Sequence, residues 1–229
     1  MVDDFEKSWL AKLSCSLESV VGPEIREKIM AGSEGFSDKS ERQTIIDWSK
    51  QTMERLNELV DPVRRIEILT RCACQYPKSD LQEIRQKFEK TKSIDSVHRM
   101  LHEKFLSFLK QGLKLDDEVI EFMLNKEMGL AGRRDGSTII ATKIPKSGYI
   151  LEYLKEKDPV KKRAIYCHCP RIRDALKTGI EILPTYCYCG AGYYKGIWEE
   201  ILERPVKVEL LESVLKGDDA CKIAIHLSS

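Results

Sequence analysis

The chain reads as an α+β protein: a helical N-terminal half packed with a C-terminal module of mixed or antiparallel sheet that carries its own helices. Three observations predict this. Apolar residues keep a helical period through residues 1–130. A glycine- and charge-rich stretch, GLAGRRDG at 129–136, then interrupts the pattern. After it, short β-branched runs alternate with helix-like segments. The chain therefore divides into a helical region, 1–130, and a cysteine-rich α+β module, 131–229, as two units or as one continuous domain.

The elements follow in order. Asp38 with Glu41, and Ser79 with Gln82, are spaced as capping boxes and predict two helix starts. Trp48, Met53, Leu56, Leu59, Val60 and Val63 form an apolar helical stripe. Asp61-Pro62 puts proline in a first helical turn, where its missing N–H is harmless. His98, Leu101, Phe105 and Phe108 line a further helix face, and Asp116-Asp117 open a helix running toward Gly129. Beyond the boundary, residues 137–142 predict a strand and 147–154 a helix. Residues 163–167 and 185–188 predict strands, and 191–202 a strong helix. Residues 206–215 and 220–227 predict strands joined by a hairpin-type turn at 216–219. Repeats beyond the Cys-x-Cys pairs and low-complexity tracts are lacking in the sequence.

The composition restricts function. Of 229 residues, 42% are apolar and 33% charged, the profile of a soluble globular protein. No stretch approaches the ~20 apolar residues a membrane span needs. The acidic start, MVDDFEKSWL, is unlike a secretory signal. The expected location is the cytoplasm, where thiols stay reduced. A net charge of +1 argues against nucleic acid or a membrane surface as partner. Charge is uneven, however: residues 133–177 carry 12 Lys/Arg against 5 Asp/Glu. That stretch is either a solvated basic face or a mouth that attracts a small anion.

The eight cysteines carry the chemistry. Six form Cys-x-Cys pairs: Cys72/Cys74, Cys167/Cys169 and Cys187/Cys189. On extended backbone such a pair points both thiols to one side, with His168 facing the other. Pro170 and Gly190 follow the last two pairs and would leave their thiols at strand ends. Four thiolates suit zinc or an iron–sulfur cluster, and the pattern does not separate the two. The metal-ligating set is Cys167, Cys169, Cys187 and Cys189, with Cys72 and Cys74 joining it or forming a separate site. Cys221 is a further ligand or lines the pocket, and Cys15 is expected in the core. The bland alternative is that buried cysteines act as small hydrophobes. The competing use is a nucleophilic thiolate, which needs a nearby positive group.

Other residues have a functional role and a plainer one open to them. Lys143 and Lys146 flank Ile144-Pro145 after a predicted strand; with Arg171 and Arg173 they are the anion-orienting candidates, against a plain connection. Tyr186, Tyr188, Tyr193 and Tyr194 are core, or they wall an aromatic pocket. His98 and His102 sit at metal-pair spacing but lack the glutamate of a zincin. Glu199 is a solvated helix residue, or reaches the site from the turns after Cys189.

The block CYCGAGYYKGIWEEILERPVKVELLESVLKGDDACKIAIHL resembles the C-terminal part of 4-vinyl reductase-type domains, small-molecule sensor modules related in fold to haem-NO binding domains. Gly192, Gly196, Gly217, Asp218 and Cys221 match that pattern. Where zinc-binding members place a cysteine eight residues before the last one, this chain has Ser213. Residues 165–227 are also similar to the L-2-amino-thiazoline-4-carboxylate hydrolase-like family. They share the Cys169-Pro170 step, Cys187, the Glu200-Ile201-Leu202 helix end and the Gly-Asp-x-x-Cys close. The resemblance implies hydrolysis of a cyclic thio-amidine carboxylate to cysteine. The doubled Cys-x-Cys pairs exceed that family's pattern and suit a distinct, cysteine-rich branch.

Together these features lead to three functional expectations. The first is a cytoplasmic, cysteine-ligated zinc or iron–sulfur protein that binds or transforms a small anionic, sulfur-containing molecule in a hydrolase-like way. Its catalytic candidates are Cys187, Cys221 and Glu199. The second is a non-catalytic sensor with a structural metal site. The third is a metal-free cysteine hydrolase. A homodimer is one option for assembly.

Overall fold

The computed structural model describes residues 4–227. The fold is α+β, with α-helices throughout and a four-stranded antiparallel sheet in the C-terminal part. The helical front comprises α1 (Phe5–Val21), α2 (Pro23–Met30), α3 (Arg42–Leu59), α4 (Pro62–Arg71), α5 (Gln82–Thr91), α6 (Ile94–Ser107) and α7 (Asp117–Asn125). One π-helical turn, Phe108–Gly112, extends α6. Strands β1 (Arg133–Asp135) and β2 (Thr138–Thr142) follow. Next come α8 (Ile150–Lys155), α9 (Pro159–Tyr166), α10 (Pro170–Thr178), α11 (Tyr188–Leu202), β3 (Lys207–Glu212) and β4 (Lys222–His226).

Local chemistry accounts for most helix starts. Asp61 accepts from the amides of Val63 and Arg64, both at 3.1 Å, and Pro62 occupies the first turn of α4. Asp158-Pro159 repeats the device for α9, with bonds from Val160 N at 3.0 Å and Lys161 N at 2.9 Å. Asp38 does not cap the helix that follows it. It accepts from Phe5 N and Glu6 N, each at 3.0 Å, so it caps α1 across the fold. The helix expected there starts at Arg42, with Glu41 as an N-cap that makes no side-chain bond. The free amides at the start of α1 compete for the same carboxylate, and tertiary packing brings them to it.

Two predicted strands are helical. Residues 163–166 belong to α9, and 185–187 to a 3-10 turn, Pro184–Cys187, that runs into α11. The Asp158-Pro159 cap and Pro184 launch helical turns whose side chains alone look β-like. Extended backbone survives only at the junction between α9 and α10, with φ −69°, ψ 131° at Cys167 and φ −75°, ψ 121° at Cys169. Pro170 favours that conformation in the residue before it. The stripe through α3 also ends early: Leu59 is 43% and Val63 75% exposed. Cys15, expected in the core, is exposed on α1.

The sheet order is β1-β2-β4-β3, all neighbours antiparallel. Strand β1, inside the stretch read as a boundary, pairs with β2 through a turn at Gly136, where φ is +59°. The expected C-terminal hairpin is present. A 3-10 turn, Val214–Lys216, and Gly217 at φ +91° connect β3 to β4.

Three cores cross residue 130, the smallest joining Phe105, Leu109, Ile120, Met123 and Met128 to Ile150. Ile139, Ala141, Val208, Leu210, Ile223 and Ile225 of the sheet pack with Ile197, Trp198 and Ile201 of α11 and with Ile84, Val97 and Leu101 of the front. The second core joins Trp9, Leu13, Leu17, Trp48, Leu56, Ile68 and Leu69 to Tyr166, Ile172 and Tyr186. Helix α11 lies so close to α4 that a Cβ on Gly192 would sit 2.0 Å from the Thr70 carbonyl oxygen. The cysteine-bearing segments are thereby sandwiched between the sheet and the front helices.

Candidate functional site

Six cysteines from four stretches of chain line one cavity of about 730 Å³: Cys74, Cys167, Cys169, Cys187, Cys189 and Cys221. That volume lies in the range of small-molecule pockets. Cys167 follows α9 and Cys169 precedes α10. Cys187 ends the 3-10 turn, Cys189 sits in the first turn of α11, and Cys221 precedes β4. Cys74 follows α4, whose last turn ends at Cys72. Cys72 is fully buried and its thiol bonds the Ile68 carbonyl at 3.3 Å, so it lies behind the wall and not on it.

The thiols form an arc. Cys187 donates to Cys221, and Cys167 lies within electrostatic reach of both. Cys167 and Cys169 influence each other across the extended junction. Cys169 shares a 3.4 Å hydrogen bond with Tyr186 and acts on Cys189, which in turn feels Cys74. The Cys189 thiol donates to the Cys72 carbonyl at 3.5 Å. Because Cys187 and Cys189 belong to a helical start and not a strand, residues two apart point different ways. One reaches toward β4 and the other toward α4.

Cys221 is anchored by its backbone. Its N–H donates to the Tyr166 hydroxyl at 2.9 Å, and its carbonyl accepts from Lys143 N at 2.8 Å. Tyr166, fully buried, donates its proton to the Lys143 carbonyl at 2.5 Å. Burial pushes the Tyr166 phenol well up, which keeps it a donor. The Lys143 ammonium reaches the start of α11, 3.9 Å from where a Gly190 Cβ would stand. It belongs to the cavity lining, and among the described residues no carboxylate pairs with it.

The electrostatics single out Cys221. The hydrogen bond from Cys187, helped by Lys143, pulls its thiol down to about 7 against the cost of burial. Cys187, as the donor, is pushed well up. Burial raises Cys167, and it raises Cys189 to about 12. His168 also lines the cavity. Burial, helped by Lys143 and Lys146, lowers it to about 4, so the neutral ring donates Nε2–H to the Ile144 carbonyl at 3.0 Å.

Not every predicted site residue is gathered there. Arg171 is fully buried behind the wall, its Nε 2.7 Å from Glu6 Oε2 and its guanidinium carbon 3.9 Å from the Trp9 ring centre. Arg173 and Lys146 do not line the cavity; the Lys146 ammonium sits 5.0 Å from the Tyr149 ring centre. Glu199 binds Lys195 and accepts from Val206 N at 3.1 Å. It faces a separate cavity of about 500 Å³, which Cys74 also borders. His98 bonds the Gly132 carbonyl at 3.0 Å, which accounts for its place on α6. Among the described residues, no three His, Cys, Asp or Glu side chains are grouped as a metal ion requires.

Sequence reasoning missed Tyr166, Trp9 and Ser213. Trp9 stacks on Tyr186 with ring centres 5.4 Å apart and lines the cavity from α1. Ser213, fully buried, hydrogen-bonds the Cys187 side chain. Its signal was its place in the sequence, eight residues before Cys221. No local pattern marks Tyr166 or Trp9, because their roles depend on distant partners.

No curated protein and no solved structure matches the chain. Residues 153–229 match a family described as a family of unknown function, DUF6144. The matched stretch carries Cys167, Cys169, Cys187, Cys189 and Cys221, while Lys143 and Cys74 lie before it.

Proposed function

We propose that the chain binds a small anionic, sulfur-containing molecule in the cysteine cavity and transforms it with the Cys221 thiolate, in a hydrolase-like reaction. One arrangement carries this reading: Cys221 receives a hydrogen bond from Cys187 beside the ammonium of Lys143, which has no carboxylate partner among the described residues, at the wall of a cavity sized for a small molecule. A thiolate is the nucleophilic form of cysteine, and a donor plus a cation favour it. Lys143 orients the anion, and the soft sulfur lining suits a sulfur-bearing ligand. Free thiols in this number suit a reducing compartment such as the cytoplasm. Among the described residues no helix is long and apolar enough to cross a membrane.

The convergence of six cysteines favours a second reading, in which Cys167, Cys187 and Cys221, with Cys169 and Cys189 beyond them, ligate zinc or an iron–sulfur cluster. The site then serves either catalysis or a structural role in a sensor.

Two measurements separate these. Protein purified without oxygen is analysed for zinc, iron and sulfide. The same protein is incubated with 2-amino-thiazoline-4-carboxylate, and free cysteine is quantified. Cysteine release that disappears in Cys221→Ser supports the first reading. Stoichiometric metal lost in Cys187→Ser, without turnover, supports the second and removes the first.

A further inference from the structure

The mouth of the cysteine cavity is built of aromatic carbon set beside a lysine. The π-helical turn that extends α6 supplies Phe108, Gln111 and Gly112 to the lining, and all three are exposed. Phe108 is 41% exposed, although its ring borders a cavity. A π-turn is a distortion found frequently at functional sites. Two glycines seat the phenyl rings. A Cβ on Gly129, at φ +120°, would stand 2.5 Å from the Phe105 ring, and one on Gly112 would stand 3.1 Å from the Phe108 ring. Both glycines and both rings line the cavity.

Backbone pairing fixes this shelf next to Lys143. Gly129 N–H donates to the Thr142 carbonyl at 2.9 Å, one residue before the lysine. Ile144, one residue after it, packs on the core that holds Phe105. Deeper in, the walls are Trp9, Tyr186 and Tyr194, each almost fully buried. The charged lining consists of Lys104 and Lys143 against one carboxylate, Asp80, and neither lysine has an ion-pair partner among the described residues. The lining therefore favours an anion. A cavity of about 730 Å³ matches a drug-sized ligand, so a single small heterocycle would leave most of it to water.

We infer that the cavity takes an aromatic carboxylate, with its anion at Lys143 and its ring system extended along Phe105 and Phe108 to the mouth. This deepens the proposed function by naming the ligand's unreacting part, and it rests on that reading for the anion at Lys143. Ring–ring contacts favour a planar aromatic body over an alkyl chain of similar area. The bound ring covers Phe108, and Lys104 adds positive charge at the cavity wall.

The test measures binding to the reduced, unmodified full chain by isothermal titration calorimetry. The probes are 2-naphthoate, the uncharged 2-naphthamide, the alkyl carboxylate octanoate, and acetate. 2-Naphthoate should bind at least about tenfold tighter than each of the others. Lys143→Met should erase its advantage over 2-naphthamide, and Phe108→Ala should weaken it about threefold or more. Irradiation with 4-benzoylbenzoate, an aromatic carboxylate that inserts into nearby C–H bonds, should label residues 105–112 of the unmodified chain, and 2-naphthoate should suppress the label. This arm needs no variant, so a misfolded substitution does not protect the inference. Octanoate binding as tightly as 2-naphthoate overturns the aromatic class. 2-Naphthamide binding as tightly overturns the anion at Lys143. Labelling confined to other residues overturns the placement at the mouth. If 2-naphthoate does not bind while 2-amino-thiazoline-4-carboxylate is hydrolysed, this inference falls and the proposed reaction stands. Tight 2-naphthoate binding without that hydrolysis supports the inference and counts against the reaction.

Discussion

Arg171 and Glu6 form an ion pair in which both side chains are shut off from water, with Nε 2.7 Å from Oε2. The other carboxylate oxygen of Glu6 accepts from Arg42 Nη1 at 2.7 Å, and Arg42 Nε reaches Asp174 at 2.9 Å. The network ties α1 to α3 and α10, and stacks through Trp9 onto Tyr186 at the cavity wall. Arg171 is therefore neutralised by a partner 165 residues away, which explains why it does not serve the cavity as an anion binder.

Removing Glu6 would leave a buried guanidinium without its charge partner. We expect Glu6→Gln to lower unfolding free energy by about 3–5 kcal/mol, the usual cost of breaking a buried pair from one side. Urea denaturation measures it. The double variant Glu6→Gln with Arg171→Met should recover much of the loss, because no unpaired charge then remains buried. A single variant as stable as the parent would mean that water reaches the pair.

The close crossing of α11 on α4 gives a second test. Gly192→Ala would place its Cβ against the Thr70 carbonyl, and the two helices would have to separate. A loss of about 1–3 kcal/mol is expected, typical of overpacking. Gly196→Ala, on the same helix with open space around it, should gain up to about 1 kcal/mol from helix propensity. Thermal melts of the two variants should thus move in opposite directions.

Much of this architecture is legible in the sequence. The Asp61-Pro62 cap, the helix carrying Trp198 and the hairpin turning at Gly217 follow from local chemistry and occur as expected. The segments before Cys167 and Cys187 did not read correctly. Short apolar runs fit strand and helix alike, and the deciding signal was the proline that begins each turn. That error mattered for the site. A strand would have turned Cys187 and Cys189 to one side, whereas the helix start splits them toward Cys221 and Cys72. The gathering of thiols was foreseeable from their number. The roles of Glu6, Trp9 and Tyr166 were not, since each is defined by a partner far along the chain.

The pH dependence of thiol reactivity tests the arrangement around Cys221. Its thiolate forms as pH rises through about 7, so labelling by iodoacetamide should climb across that range and level off above it. At a pH one unit below the midpoint the rate should be about tenfold below the plateau. Lys143→Met should shift the midpoint upward, because the ammonium favours the charged sulfur. Cys187→Ala should shift it upward too, because it removes the side chain that donates to Cys221. Peptide mapping of the labelled protein identifies the site; a midpoint unchanged in Lys143→Met would remove the lysine from the cluster.

His168 makes the protein's stability depend on pH in a predictable direction. Its ring is held neutral in the fold, titrating at about 4, while an unfolded chain would protonate it at the ordinary histidine value. Between these two limits the unfolded state binds more protons, so stability rises with pH through this window and is lost as pH falls. Urea midpoints measured from pH 7 down to pH 4.5 should fall accordingly. His168→Gln keeps a donor for the Ile144 carbonyl but cannot titrate, so its midpoints should fall less steeply over the same range. Equal slopes for the two proteins would show that the imidazole is protonated in the fold and that another group supplies the dependence.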